Sequence, residues 1–243
     1  MSNEERKQPP PDDPRAADWQ WQLAERVTSA PSLASRFTLS PGERAAFGLP
    51  GLPPVAVTPY YLSLMDPEDP RCPIRQQALP HPEDVEHGAG ESSDPLGERS
   101  RSPVPGVVHR YPDRVVLLVA VDCPVRCRHC NRRQRTADEF LRTEADFDAA
   151  LAYLAARPDV REVILSGGDP LTLSDAVLAR ILEPLGRLPH IGTVRVHTRA
   201  PVTCPMRVTD DLVRVLRAAQ PLFVLTQFNH PAEVTPRAAA AAA

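Results

Sequence analysis

The chain has 243 residues, of which 42% are hydrophobic and 24% charged, with a formal net charge of −3. That is the balance of one large or two small globular domains, and it supports neither a nucleic-acid partner nor a membrane surface. No apolar run is long enough to span a bilayer, and prolines rather than a signal-peptide core follow the N-terminus.

Residues 1–14 are polar and proline-rich and read as a disordered tail. Residues 15–106 read as a helical and loop segment wrapping a core formed by residues 107–243. Within it, Trp19 to Val27 suits a short helix, with Trp19 and Trp21 on different faces. Ser40-Pro41-Gly42-Glu43 is a helix start, with a capping serine, a first-turn proline and a glutamate that can reach back. Tyr60 to Met65 and Cys72 to Leu79 are further helix candidates. Between Pro80 and Pro105 the chain is loop-like.

From Arg114 a regular alternation begins. Strands are expected at Arg114–Val121, Glu162–Leu165, Thr193–His197 and Leu222–Gln227. Helices capped by Thr143, Ser174 and Thr209 separate them. Their apolar stripes are Phe147, Leu151, Leu154 and Ala155, then Val177, Leu178, Ile181, Leu182 and Leu185, then Leu212, Val213 and Leu216. Thr235-Pro236 opens another helix that runs into alanines without an apolar stripe. Repeated β-loop-α units argue for parallel strands with right-handed crossovers. The expected fold class is α/β: a partial (β/α) barrel lacking its C-terminal strands, with a small doubly wound sheet as runner-up. The chain therefore reads as a fragment of a longer protein.

Five motifs fall at or near strand ends. Cys123, Cys127 and Cys130 follow the first long strand at spacings of four and three. Three thiolates can hold one soft metal centre and leave a coordination position open, which suits an iron–sulfur cluster. A zinc site completed by Cys72, Cys204 or His129 is the alternative. Clustered cysteines suit a reducing cytoplasm better than a disulfide framework. Arg126, Arg128, Arg132 and Arg133 are expected to lower the thiol pKa values. Ser166-Gly167-Gly168-Asp169 offers glycines for close backbone approach and a carboxylate for a cationic ligand. His197-Thr198-Arg199 and Gln227-Phe228-Asn229-His230 end the next two strands. His109-Arg110-Tyr111-Pro112-Asp113-Arg114 could hold a phosphate. The only lysine is Lys7.

Taken with Thr58-Pro59-Tyr60-Tyr61, Asp66-Pro67, Asp69-Pro70, Ser102 to Gly106 and Phe228-Asn229-His230-Pro231, these motifs resemble the lysine 2,3-aminomutase family of radical S-adenosylmethionine (SAM) enzymes from about Trp19 to Thr235. The resemblance implies a [4Fe-4S] cluster on Cys123, Cys127 and Cys130, with SAM on the fourth iron. It also implies pyridoxal 5′-phosphate and a 5′-deoxyadenosyl radical that drives nitrogen migration in an amino acid. By the same resemblance Ser166, Gly167, Gly168 and Asp169 would hold SAM, and Arg110, Tyr111, Arg114 and, more weakly, His230 would lie near pyridoxal phosphate. Arg132 would pair with the substrate carboxylate. The family's pyridoxal-bearing lysine would lie beyond residue 243, so the chain is expected to turn over poorly alone. The implied partners are a small amino acid and a flavodoxin or ferredoxin, in a homo-oligomeric full-length protein. Lysine is the expected substrate, to which Trp19-Gln20-Trp21-Gln22 leans weakly. Glutamate, or a lysine of a translation factor, is the close alternative. A radical-SAM enzyme of other chemistry, or a cluster- or zinc-stabilised non-catalytic module, would belong to a different class.

Overall fold

The computed structural model describes residues 13–52, 54–85, 92–219 and 221–243. Its centre is a sheet of five strands, β1 (Val107–Tyr111), β2 (Arg114–Ala120), β3 (Glu162–Gly167), β4 (Thr193–His197) and β5 (Leu222–Leu225), hydrogen-bonded in chain order. β1 runs antiparallel to β2, and β2 to β5 are mutually parallel. The N-terminal segment carries α1 (Trp19–Ala24), α2 (Ala30–Ala34), α3 (Pro41–Ala46) and α4 (Pro59–Leu62). Beyond β2 come α5 (Glu144–Ala155), α6 (Asp175–Gly186), α7 (Ala200–Thr203), α8 (Asp210–Arg217) and α9 (Pro236–Ala242).

Local sequence accounts for the long helices. The hydroxyls of Thr143, Ser174 and Thr209 accept the amides of Asp146, Val177 and Leu212 and so cap α5, α6 and α8. Leu178, Ile181, Leu182 and Leu185 of α6 and Leu212 and Leu216 of α8 share one core with Val115, Leu117, Val119, Val163, Leu165, Val194 and Val196. These strand residues alternate, so they lie on one face of the sheet. Crossover helices on a single face are the arrangement of a (β/α) barrel; a doubly wound sheet places them on both. The fold is thus a partial β/α fold of the barrel type. In α5 the stripe shifts: Ala150 is buried and Ala155 exposed.

A second core joins the N-terminal segment to the active end. Leu33, Phe37, Tyr60, Tyr61, Ile74 and Leu79 pack with Val125 of the cysteine loop and Val202 of α7. Arg75 is fully buried there. It grips both oxygens of Glu43 at 2.8 and 2.7 Å and donates to the carbonyls of Thr38, Asp66 and Pro67. Glu43 in turn accepts the Ser40 amide and completes the expected capping box.

Some expectations change. Asp13 caps a 3-10 turn at Pro14–Ala17, so the expected tail over 1–14 ends earlier; residues 1–12 lie outside the described part, as do residues 86–91 of the long loop. Cys72–Leu79 forms only a short turn at Arg75–Gln77, because Pro80 bars helical backbone at the residue before it. The stretch from Val107 to Tyr111, assigned no strand from sequence and partly read as a phosphate motif, forms β1, which turns tightly into β2 with Tyr111 opposite Arg114. Gln22, not either tryptophan, is the buried residue of α1; it accepts the Tyr60 amide and donates to the Ala16 carbonyl. Trp19 lies under the Arg207 guanidinium. Among the described residues no helix is long and apolar enough to cross a membrane.

Candidate active site

Cys123, Cys127 and Cys130 leave the C-terminal end of β2 and line one cavity of about 120 Å³, together with Val125, Phe140 and the backbone at Gly167 and Gly168. The same three cysteines also border an open groove of about 470 Å³, lined by Ser166, His197, Thr198, Arg199 and Gln227 from the ends of β3, β4 and β5. Parallel strands deliver these residues to a common end, where β/α folds carry their chemistry. All three cysteines are free thiols.

The cysteine loop is held by its neighbours. Its amides at Arg126 and Arg128 donate to the carbonyls of Ala56 and Gln77, and Val125 bridges Val57. Arg26 donates to the Cys123 carbonyl at 2.6 Å and pairs with Asp122 at 2.7 Å. The root of the loop is stitched to β3: the Gly168 amide meets the Ala120 carbonyl at 2.5 Å, and the Asp169 amide meets that of Asp122 at 2.8 Å. The two glycines are required by this contact. Gly167 has φ +116°, and a Cβ there would stand 2.6 Å from the Ala120 oxygen; at Gly168 it would overlap the Asp122 carbonyl. The close backbone approach anticipated for a ligand is made here to the cysteine loop.

The thiol electrostatics differ from expectation. Burial pushes Cys123 well above the ordinary thiol value, reinforced by Asp169 and the other two sulfurs. Burial also raises Cys127, and Arg199 works against the shift. Of the four arginines expected to act, Arg126 opposes the rise at Cys123 only weakly. Arg128 is engaged by Asp84, Arg132 by Glu98, and Arg133 by the Arg128 carbonyl. Desolvation wins at Cys123 and Cys127, both partly buried residues, because the neighbouring guanidinium groups are engaged elsewhere.

Asp169 is buried and partnered at both oxygens. Its carboxylate accepts the Thr198 hydroxyl at 2.6 Å, the Arg199 amide at 2.8 Å and the Leu171 amide at 3.0 Å. Burial raises its pKa despite these donors. It therefore joins the loops after β3 and β4 while also lining the groove. Ser166 accepts from Arg132 at 3.1 Å.

Arg132 forks onto both oxygens of Glu98 at 2.9 and 2.6 Å. Glu98 also meets Arg135 at 3.0 Å; burial opposes its ionisation, but the Arg132 hydrogen bond and both charges hold its pKa below the usual value. The guanidinium expected to receive a substrate carboxylate thus already holds one from the protein. Arg110, Tyr111 and Arg114 gather at the β1–β2 turn, at the opposite end of β2 from the cysteines. Arg114 is bidentate with Asp113, and both arginines lie against the Tyr111 ring. By register Arg114 shares the helix-free face with Glu162, Arg195 and His197. Glu162 and Arg195 pair there at 3.0 Å, while Glu162 Oε1 and His197 Nε2 are buried without a partner among the described residues. His230 caps the turn Pro231–Glu233 by accepting the Ala232 amide on Nδ1.

The sequence reading missed Glu98, Tyr61 and Glu233 as site residues. Glu233 is fully buried, accepts the Tyr61 hydroxyl at 2.6 Å and meets Arg199 at 2.8 Å.

Among the described residues no three Cys, His, Asp or Glu side chains converge tightly enough to hold a single metal ion. The three cysteines nevertheless line the same cavity. Three free, partly buried thiols that border an open groove fit an iron–sulfur cluster.

A β/α fold with three cysteines at the end of its first parallel strand defines a class. The Radical SAM superfamily model matches residues 117–238, and the chain belongs to that superfamily. Within it the chain is similar to aminomutases. It is 42% identical over 222 residues to the L-lysine 2,3-aminomutase of Clostridium subterminale, covering 90% of this chain and 53% of that one. It is 42% identical to the L-lysine 2,3-aminomutase of Fusobacterium nucleatum, covering 91% and 52%. It is also similar to the glutamate 2,3-aminomutase of Clostridioides difficile, at 37% identity over 90% and 53%. The chain spans about half the length of these curated relatives.

Proposed function

We propose that this chain carries the radical-generating centre of an amino-acid 2,3-aminomutase, with L-lysine as substrate and β-lysine as product. The observation that carries the reading is the placement of three thiols around one cavity beside a groove at the strand ends. Cys123, Cys127 and Cys130 would hold a [4Fe-4S] cluster, leaving one iron free for SAM. When bound, such a cluster supplies the electron that splits SAM to a 5′-deoxyadenosyl radical. The chain's own part is to bury the cysteine loop against Val57 and Val202, fix its root through Gly167 and Gly168, and present the groove at Ser166, His197 and Gln227. A flavodoxin or ferredoxin is the reductant in this reading. Lysine is preferred to glutamate because the lysine aminomutases of Clostridium subterminale and Fusobacterium nucleatum are 42% identical to the chain, against 37% for the glutamate aminomutase.

For pyridoxal phosphate the fit is partial. Arg110 and Arg114 offer cationic groups around Tyr111, yet Arg114 is already neutralised by Asp113, and none of the described residues is a lysine. The 243-residue chain is therefore expected to release 5′-deoxyadenosine from SAM without forming β-lysine, as followed by liquid chromatography and mass spectrometry. Appearance of β-lysine would show that this chain already holds the amino-acid half of the reaction.

Anaerobic iron and sulfide analysis after reconstitution tests the central claim. About four irons and four sulfides per chain are expected, with 5′-deoxyadenosine formed on adding dithionite and SAM. Cys127→Ala is expected to abolish that product. Zinc without sulfide would instead establish a structural module.

A further inference from the structure

Arg199 begins just beyond β4, and its side chain turns back to the cysteine loop. Its Nη1 donates to Cys127 Sγ at 2.9 Å. The other terminal nitrogen, Nη2, donates to Glu233 Oε1 at 2.8 Å and reaches Gln77 Oε1 at 3.3 Å and the Tyr61 hydroxyl at 3.4 Å. The guanidinium lies over the Tyr61 ring, 5.8 Å from its centre. Its backbone amide is fixed separately by Asp169. Four distant parts of the chain therefore agree on one position for this cation: the α4 region, the turn at Gln77, the cysteine loop, and the turn after β5.

The surroundings define its electrical role. Glu233 is fully buried; burial opposes its charge, but the Tyr61 hydroxyl, the Asn229 amide and Arg199 keep it ionised at neutral pH. The Arg199–Glu233 pair is thus an oriented dipole with its N–H end on a sulfur and its carboxylate end away. With both side chains largely buried, such a dipole is only weakly screened and acts on any charge that appears at the sulfur. Adding one electron to an iron–sulfur centre spreads negative charge onto its thiolates, and hydrogen bonds to those sulfurs are a recognised control of potential.

We propose that Arg199 is a positioning residue that hydrogen-bonds the Cys127 thiolate and raises the potential at which the bound cluster accepts its electron. The electron comes from a low-potential one-electron reductant, and Arg199 neither gains nor loses a proton in the step. This rests on the reading of Cys123, Cys127 and Cys130 as cluster ligands. Among the other cations near the loop, Arg128 and Arg132 are paired to Asp84 and Glu98; the Arg132 backbone amide donates to Cys130 Sγ at 3.3 Å, and among the described residues Arg199 is the one whose guanidinium N–H is placed on a ligand sulfur.

The test is an EPR-monitored redox titration of the reconstituted 243-residue chain. Arg199→Met is expected to lower the ratio of reduced to oxidised cluster about tenfold at fixed potential, a shift of about 59 mV to more negative values for one electron. Arg199→Lys keeps a charge but loses the fork, and should recover part of the shift. Glu233→Gln removes the counter-charge and should move the potential the opposite way. A merely structural Arg199 would change how many chains carry a cluster, not the potential of those that do. If Arg199→Met fails to load, the lysine variant and Glu233→Gln decide. A loaded cluster whose potential is the same in all variants overturns the role of Arg199 alone. A wild-type chain that takes up no iron and sulfide overturns the ligand assignment with it.

Discussion

Replacing Gly168 with alanine is expected to cut cluster loading severalfold, while Gly186→Ala leaves it intact. The new methyl group at position 168 would overlap the carbonyl oxygen of Asp122 and lie 2.9 Å from the carbonyl carbons of Asp122 and Val121. These are backbone atoms, so no rotamer change relieves the clash. Overpacking of this kind costs about 1–3 kcal/mol where the structure can yield. Here the part that must yield is the root of the cysteine loop, one residue before Cys123. The displacement would also break the amide bonds from Gly168 to Ala120 and from Asp169 to Asp122. A modest loss of stability is thus directed into the geometry of the three thiols. Gly186, at the end of α6, has nothing within 4 Å of an added Cβ, and an alanine there should stabilise by a few tenths to about 1 kcal/mol. Iron and sulfide per chain, with thermal melting of each variant, separates the effects. Full loading of Gly168→Ala would mean that the loop root tolerates movement.

The parts of this molecule that were legible in the sequence are those set by short-range rules. Thr143, Ser174 and Thr209 announce their helices because a cap is a contact over three residues. The strand Thr193–His197 stands as expected, and the others differ only at their ends. Cys123, Cys127 and Cys130 reach one cavity because a single loop carries them. What escaped is long-range. Arg199 finds Cys127 across 72 residues, and Arg132 finds Glu98 across 34; no periodicity encodes such pairs. The arginines beside the cysteines looked like thiol-activating charges because sequence shows their nearness but not their partners. Strand β1 was hidden by a motif whose polar residues suggested a phosphate site, although Val107-Val108 before a Pro112-Asp113 turn is a hairpin pattern. The open edge at β5, where Phe223 is 57% exposed, marks where a sixth strand could extend the sheet.

Asp169→Ala is expected to destabilise the fold by about 3–5 kcal/mol, a size that distinguishes its two possible employments. A carboxylate reserved for a cationic ligand is held open in the ligand's absence, and its loss weakens binding while sparing the fold. Asp169 is instead buried and accepts from Thr198, Leu171 and Arg199. Removing it strands a hydroxyl and two amides in the interior, and each unmade bond to a buried donor costs about 1–3 kcal/mol. Asp169→Asn preserves the shape and one acceptor oxygen, so it should recover about half of the loss. The consequence for chemistry is indirect: the Asp169 contact fixes the Arg199 backbone, so the alanine variant also frees the guanidinium that meets Cys127. Urea unfolding of both variants, alongside SAM affinity measured on the cluster-loaded chains, resolves the question. Unchanged unfolding with a collapse in SAM affinity would return Asp169 to the role of ligand; a large loss of stability, with the affinity of the loaded chains retained, places it in the frame that holds the site together.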